Sequence, residues 1–162
     1  MMKRLLLTLI GTLVLLVGCG GNDELENFTE TYNNRADTEE VAELLPEEFG
    51  EMEELEDEEW RELYESDKYT ITAEYSNDTV IGYSIRIDSS EPFEDKEGEG
   101  YRASTLIART LGLSVSDYSS NFEQALRNDI HTYSENNYEI RFANIGWDSS
   151  ISTPISVLFM KE

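Results

Sequence analysis

Hydrophobic and polar positions fall into two clear periods in the second half of the chain. Tyr69, Ile71, Ala73 and Tyr75 alternate with Thr70, Thr72 and Glu74. Ile81, Tyr83, Ile85 and Ile87 alternate with polar or small residues, and Ser76-Asn77-Asp78-Thr79 lies between the two runs. Period-two patterning around turn residues predicts a β-hairpin with one buried face. Ala103, Leu106, Ile107, Thr110 and Leu111 instead recur at helical spacing, which predicts a helix over 102–111. Gly112 is placed to close that helix in the left-handed conformation only glycine adopts freely. Ser120 and Glu123 have the spacing of a capping box, and Phe122, Ala125, Leu126, Ile130 and Tyr133 continue it as a second helical stripe. Alternation returns at Tyr138, Ile140 and Phe142, and again at Ile155, Val157 and Phe159. Pro154 marks either an edge strand or a strand that begins there.

The first half is less regular. Leu25, Phe28 and Tyr32 predict a short amphipathic helix over 23–34, with Asp23 and Glu26 as a capping pair. Thr38 to Leu45 has the spacing of one or two further helical turns, stopped by Pro46. From Glu39 to Asp67 the chain is dominated by acids, with Arg61 the only cation. There Met52, Leu55, Trp60, Leu63 and Tyr64 fit a helix face, while Trp60 to Glu65 fits a strand equally well. The order predicts an α+β fold: an antiparallel sheet of about four strands in two hairpins, two central helices on one face, and an N-terminal helix.

Ahead of all this stands a different pattern. Lys3 and Arg4 precede a mostly apolar run of 13 residues from Leu5 to Val17 that contains no charge, and Gly18-Cys19 follows it. Thirteen residues make about 20 Å of helix against a hydrocarbon core of about 30 Å, too short for a comfortable span. A basic start, a short apolar stretch and small residues at its end are the parts of a secretory signal. Leu16-Val17-Gly18-Cys19 matches the lipobox, and the chain resembles a bacterial lipoprotein precursor. The resemblance implies cleavage between Gly18 and Cys19 by the lipoprotein signal peptidase, and a diacylglyceryl (palmitate-type) modification on the Cys19 sulfur. It further implies an extracytoplasmic location on the outer face of the cytoplasmic membrane, or the outer membrane in a diderm cell. Cys19 is the only cysteine, so no disulfide competes for it within the chain. The expected organisation is a signal peptide over 1–18, a lipidated tether over 19–23 with Gly20-Gly21 as a flexible spacer, an acidic and mostly helical segment over 24–67, and an α+β core over 68–162. Residues 24–162 are expected to form a single domain.

Charge then narrows the partners. Lys3 and Arg4 are the only charges before Cys19, so the remainder carries 35 acids against 10 cations, a net charge of about −25. Nucleic-acid binding needs clustered Lys and Arg and is not expected. The excess also predicts self-repulsion relieved by salt, as a saline habitat would supply. The expected partners are the lipid bilayer, through acylated Cys19, and an unidentified protein or ligand.

Individual residues offer little chemistry. His131, the only histidine, is expected on the solvent side of the second helix, with neither a G-x-S-x-G nucleophile turn nor other soft ligands to join it. Asp129 falls inside that helix's apolar stripe, as a boundary carboxylate held by an arginine or tyrosine or as a polar group aimed into a ligand cleft. Glu91, Glu94, Asp95, Glu97 and Glu99 crowd one glycine-containing loop. Of these, Glu94, Asp95, Glu97 and Glu99 are the candidate cation ligands, and Ca²⁺ is the ion their oxygens suit. The loop does not match an EF-hand, and a solvated loop is the alternative. Trp60 and Trp147 could stack sugars beside paired carboxylates, but 35 acids place some pair at any spacing by chance. Seventeen aromatic side chains exceed what a small core needs, so some are expected on the surface. No resident cofactor is expected. The reading is a non-enzymatic binding module. The alternatives are a carboxylate- or divalent-cation-dependent hydrolase of the cell-wall space, and a lipoprotein of the superinfection-exclusion or immunity type.

Overall fold

The computed structural model describes residues 20–39, 42–56, 58–88, 96–144 and 154–162. Among them are three helices and seven strands: α1 (Gly20–Glu39), β1 (Met52–Leu55), β2 (Glu58–Glu65), β3 (Tyr69–Ser76), β4 (Thr79–Ile87), α2 (Glu99–Thr110), α3 (Val115–Ala125), β5 (Ile130–Glu135), β6 (Tyr138–Asn144) and β7 (Ile155–Lys161). The strands form one sheet in the order β1-β2-β3-β4-β7-β6-β5, with every neighbouring pair antiparallel. The class is α+β, as expected, but the sheet has seven described strands rather than about four.

The centre of the sheet follows its side-chain alternation. Tyr69, Ile71, Ala73 and Tyr75 of β3 are buried, and Ile71 faces Ile85 while Ala73 faces Tyr83 across the ladder. β7 continues the same face, with Ile85 opposite Val157 and Tyr83 opposite Phe159. Ile140 and Phe142 of β6 complete it. All three helices lie on this face, α1 and α2 against β4 and α3 against β5 and β6. The opposite face carries short polar side chains such as Thr72 and Ser84, whose hydroxyls are 2.6 Å apart.

Tight turns set the register. Asn77 and Asp78 both have positive φ (50° and 60°), the conformation of a two-residue hairpin turn matched to strand twist. Asn136 and Asn137 do the same between β5 and β6, with φ of 53° and 62°. α2 ends as its sequence predicts. Gly112 sits at φ +77°, its N–H donates to the Arg109 carbonyl, and Leu113 N–H donates to that of Ala108. Those two bonds satisfy carbonyls the helix end would leave bare.

Several expectations are corrected here. The N-terminal helix runs to Glu39 and begins at Gly20, so residues 20–23 form its first turn rather than a flexible spacer. Ala42 to Gly50 is irregular, not helical, and is clipped to α1 by Asn33: Leu45 N–H donates to Asn33 Oδ1 at 2.7 Å and Asn33 Nδ2 donates to the Leu45 carbonyl at 2.9 Å. The segment left open between helix and strand is strand β2, paired with β1 at the acidic edge. α3 is capped by Ser114, whose hydroxyl accepts from Asp117 N–H, and not by Ser120, which donates to the Ser116 carbonyl. The helix expected through Tyr133 stops at Leu126, and Ile130 to Glu135 is β5. Pro154 precedes a central strand, so it marks a beginning and not an edge. Aromatic side chains fill the interior, and among the described residues none is exposed.

Candidate functional site

α1 carries two parallel ridges. Leu25, Phe28, Tyr32 and Ala36 recur at helical spacing and are buried against the sheet. One position before that stripe run Glu24, Asn27 and Thr31 at i, i+3 and i+7, a polar row along the same side of the helix. This row forms one wall of a cavity of about 170 Å³. Its other wall is Tyr83 of β4, Tyr138 at the start of β6, and Thr110 and Leu111 at the end of α2.

The cavity joins a stiff aromatic wall to a polar one. Phe28 lies flat on Tyr83, with ring centroids 3.8 Å apart and planes 15° apart, so the α1–β4 contact fixes both rings. The Tyr83 hydroxyl is buried and has no hydrogen-bond partner among the described residues. Burial raises its pKa, and the carboxylate of Glu24 and the phenols of Tyr138 and Tyr75 raise it further. Burial also raises those of Tyr75 and Tyr138; the Arg61 guanidinium opposes the rise at Tyr75, and Glu24 adds to both. Glu24 Oε1 forms an ion pair with Lys161, and the Lys161 ammonium also donates to the Val80 carbonyl at 2.7 Å. Lys161 stands opposite Tyr138 in the β6–β7 ladder, so strand register places the cation at this end of the cavity.

Residues singled out from sequence lie elsewhere. Gly18, Cys19, Glu91, Glu94, Asp95 and Trp147 fall outside the described residues. Glu97 lies in the turn before α2 and Glu99 in its first turn, both exposed. Among the described residues no group of three or more His, Cys, Asp or Glu side chains is arranged to hold a metal ion. Lys96 of the same loop pairs with Glu123 of α3. Asp129 is exposed in the turn before β5, so no apolar stripe buries it. His131 is on β5, not on a helix. Its Nε2 is 2.8 Å from Asn121 Oδ1 and its ring faces Phe142 at 6.1 Å. Trp60 is half-buried on β2 opposite Glu74 and Glu53. No described helix is long and apolar enough to cross a membrane.

Sequence reasoning missed the cavity altogether. Its signal was the Glu24, Asn27, Thr31 row, which by itself reads as the ordinary boundary of an amphipathic helix. Only the β4 and β6 tyrosines opposite turn that boundary into a wall. Comparison with protein-family models, curated proteins and solved structures finds no match for this chain.

Proposed function

We propose that this chain is a membrane-anchored extracytoplasmic lipoprotein whose acidic domain works as a non-enzymatic binding module close to the bilayer. The observation that carries the reading is the lipobox Leu16-Val17-Gly18-Cys19, set directly against α1. A net charge of about −25 on the mature body opposes any contact with an anionic leaflet. Attachment then rests on the acyl chains, each buried methylene contributing about 0.8 kcal/mol, so that two chains hold where one is marginal.

Helix α1 is described from Gly20, the residue that follows Cys19 in the sequence, so an acyl anchor on Cys19 would be attached next to the domain. Glu24 is four residues into α1 from Gly20, about 6 Å along the helix axis at about 1.5 Å per residue. Acylation at Cys19 therefore puts the α1 cavity on the bilayer side of the domain. The test is detergent-phase partition and intact mass of the expressed chain beside Cys19→Ala. Wild type should enter the detergent phase, lack residues 1–18 and carry acyl mass, and the variant should do none of these. A wild-type chain in the aqueous phase, at its unmodified full-length mass, overturns the reading.

A further inference from the structure

We propose that the helix-free face of the sheet, centred on Trp60, is a docking surface for an arginine-bearing segment of a partner protein. This names a partner for the binding-module reading and rests on that reading, but not on the anchor, which the partition experiment tests separately.

The strand ladder defines the surface. Residues paired directly across neighbouring strands project to the same side of a sheet. Glu53, Trp60, Glu74, Gly82, Met160 and Glu139 therefore form one row across six strands. The three described helices pack on the other side, so among the described residues no helix covers this row. At about 4.8 Å per strand the row runs about 24 Å, a length that suits a segment of chain better than a small molecule. Its middle is apolar. A Cβ at Gly82 would come within 2.7 Å of Met160 Sδ, so the bare glycine leaves room for the thioether to lie across β4. Trp60 and Met160 are both half-buried, and the glutamates stand on either side of them. An apolar centre holding tryptophan or methionine inside a charged rim is the usual build of a protein interface.

Charge chooses the occupant. Glu53 and Glu74 stand opposite Trp60 in the ladder, and Glu58 and Glu62 lie two places away on its own strand. Four carboxylates thus surround one indole. The cations of this face, Arg86 and Arg141, sit in other rows, opposite Ser156 and Leu158 of β7. The described ion pairs lie elsewhere, between Lys96 and Glu123 and between Lys161 and Glu24. Burial raises the Glu62 pKa, and the like charges of Glu65 and Glu53 raise it further, so the negative field around Trp60 is unrelieved. A second copy of this chain would bring the same charge and be repelled. Carboxylates spaced by strand pairing do not converge on one point, and among the described residues none belong to a group able to hold a metal ion. A guanidinium fits instead. It is planar and weakly hydrated, so it stacks on an indole while its in-plane N–H groups donate to carboxylates around the ring. A lysine ammonium is a compact, strongly hydrated charge and loses the stacking half of that match.

The experiment is calorimetric titration of the full chain in detergent with an amidated nonapeptide that alternates arginine and alanine. Salt is held at about 0.15 M, where charges more than about 8 Å away are screened. Peptides with lysine or glutamine in place of arginine are the comparison. The arginine peptide should bind saturably, the lysine peptide about threefold more weakly, and the glutamine peptide not at all. Trp60→Leu leaves the charge unaltered and should weaken binding about three- to thirtyfold. Glu53→Gln combined with Glu62→Gln should weaken it about tenfold. Glu26→Gln combined with Glu30→Gln removes the same charge from the exposed side of α1 and should change it by less than about twofold. In a Trp147→Phe chain Trp60 is the remaining tryptophan, and its fluorescence should change as the arginine peptide binds. Far-ultraviolet circular dichroism verifies that each variant is folded, and Trp60→Met replaces Trp60→Leu if the latter is not. The proposal is overturned by absent or non-saturable binding, by equal binding of the arginine and lysine peptides, by equal loss in the two double variants, or by unchanged binding in Trp60→Leu. Self-association of the chain alone that Trp60→Leu abolishes would assign the face to a second copy and equally overturn it. None of these results alters detergent partition or acyl mass, so the docking surface and the anchor fail separately.

Discussion

Raising the pH should unfold this domain over a narrow alkaline range, because its interior is built on phenols. Tyr32, Tyr69, Tyr83 and Tyr118 are all at most 2% exposed. In each, burial is the largest cause of a raised pKa, with neighbouring phenols or carboxylates adding to it. Released into water, each would titrate at its ordinary value of 10.0. Below that value both states bind the phenolic proton, and the groups contribute no pH dependence. Above it the unfolded chain loses protons that the folded chain retains, so the unfolded state binds fewer and stability falls as pH rises. At about pH 11 each such phenol costs between about 1 and 2 kcal/mol, and four cost about 5 to 6 kcal/mol. A typical domain has only about 5–15 kcal/mol in total, so most of the stability is gone within roughly one pH unit.

The assay is urea unfolding followed by circular dichroism at several pH values. The slope of unfolding free energy against pH counts the phenols whose ionisation is blocked in the native state. Tyrosine ionisation, followed by ultraviolet difference absorbance, should coincide with loss of the fold instead of preceding it. Tyr83→Phe removes one titrating group, so its slope should fall by the equivalent of one phenolic proton. Stability that stays level through about pH 11 would refute the reasoning, as would phenols that ionise while the circular dichroism holds.

Two substitutions probe the frame that holds the α1 cavity. A Cβ at Gly82 would come within 2.4 Å of the Phe159 carbonyl and 2.7 Å of Met160 Sδ on the central strand β7. Gly82→Ala should therefore destabilise by about 1–3 kcal/mol or more, read from the urea midpoint, with an unchanged midpoint as the contrary result. Asn33→Ala removes both hydrogen bonds that clip Leu45 to α1 and should cost about 1–3 kcal/mol. Amide exchange over residues 42–50 should accelerate while β3 and β4 stay protected.

What the sequence disclosed divides along one physical line. Elements with a buried face and a steady period were legible: β3, β4, α2, β6 and β7 all lie where their alternation or helical spacing predicts. The stretch after Ala125 was misread because two periods fit the same letters. Leu126, Ile130 and Tyr133 stand four and seven apart as on a helix, yet His131, Tyr133 and Glu135 alternate as on a strand. Helical spacing won on paper, whereas in the fold Arg127, Asn128 and Asp129 interrupt the helix and Asn136-Asn137 turn the chain into a hairpin. β2 escaped for another reason. A register shift between Glu62 and Tyr64 breaks its alternation, and of its eight residues only Leu63 is fully buried.

The same acids that hid β1 and β2 also explain why the sheet can end there. Met52 to Leu55 is exposed and, among the described residues, pairs on one side only, a position that invites another strand to join. Glu53 and Glu54 lie on that edge strand, and Glu54 stands opposite Glu59 of β2, so an incoming strand would meet like charges. That arrangement sacrifices some pairing stability, since opposed glutamates repel, and in return it keeps a free edge from templating aggregation. The acid excess that predicted little chemistry from composition thus has a definite structural use at one edge. At the opposite, α1-flanked surface a single carboxylate, Glu24, stands among phenols rather than among other acids. That carboxylate is half-buried and paired with Lys161, whereas Glu97 and Glu99, the described acids of the loop before α2 and its first turn, are exposed.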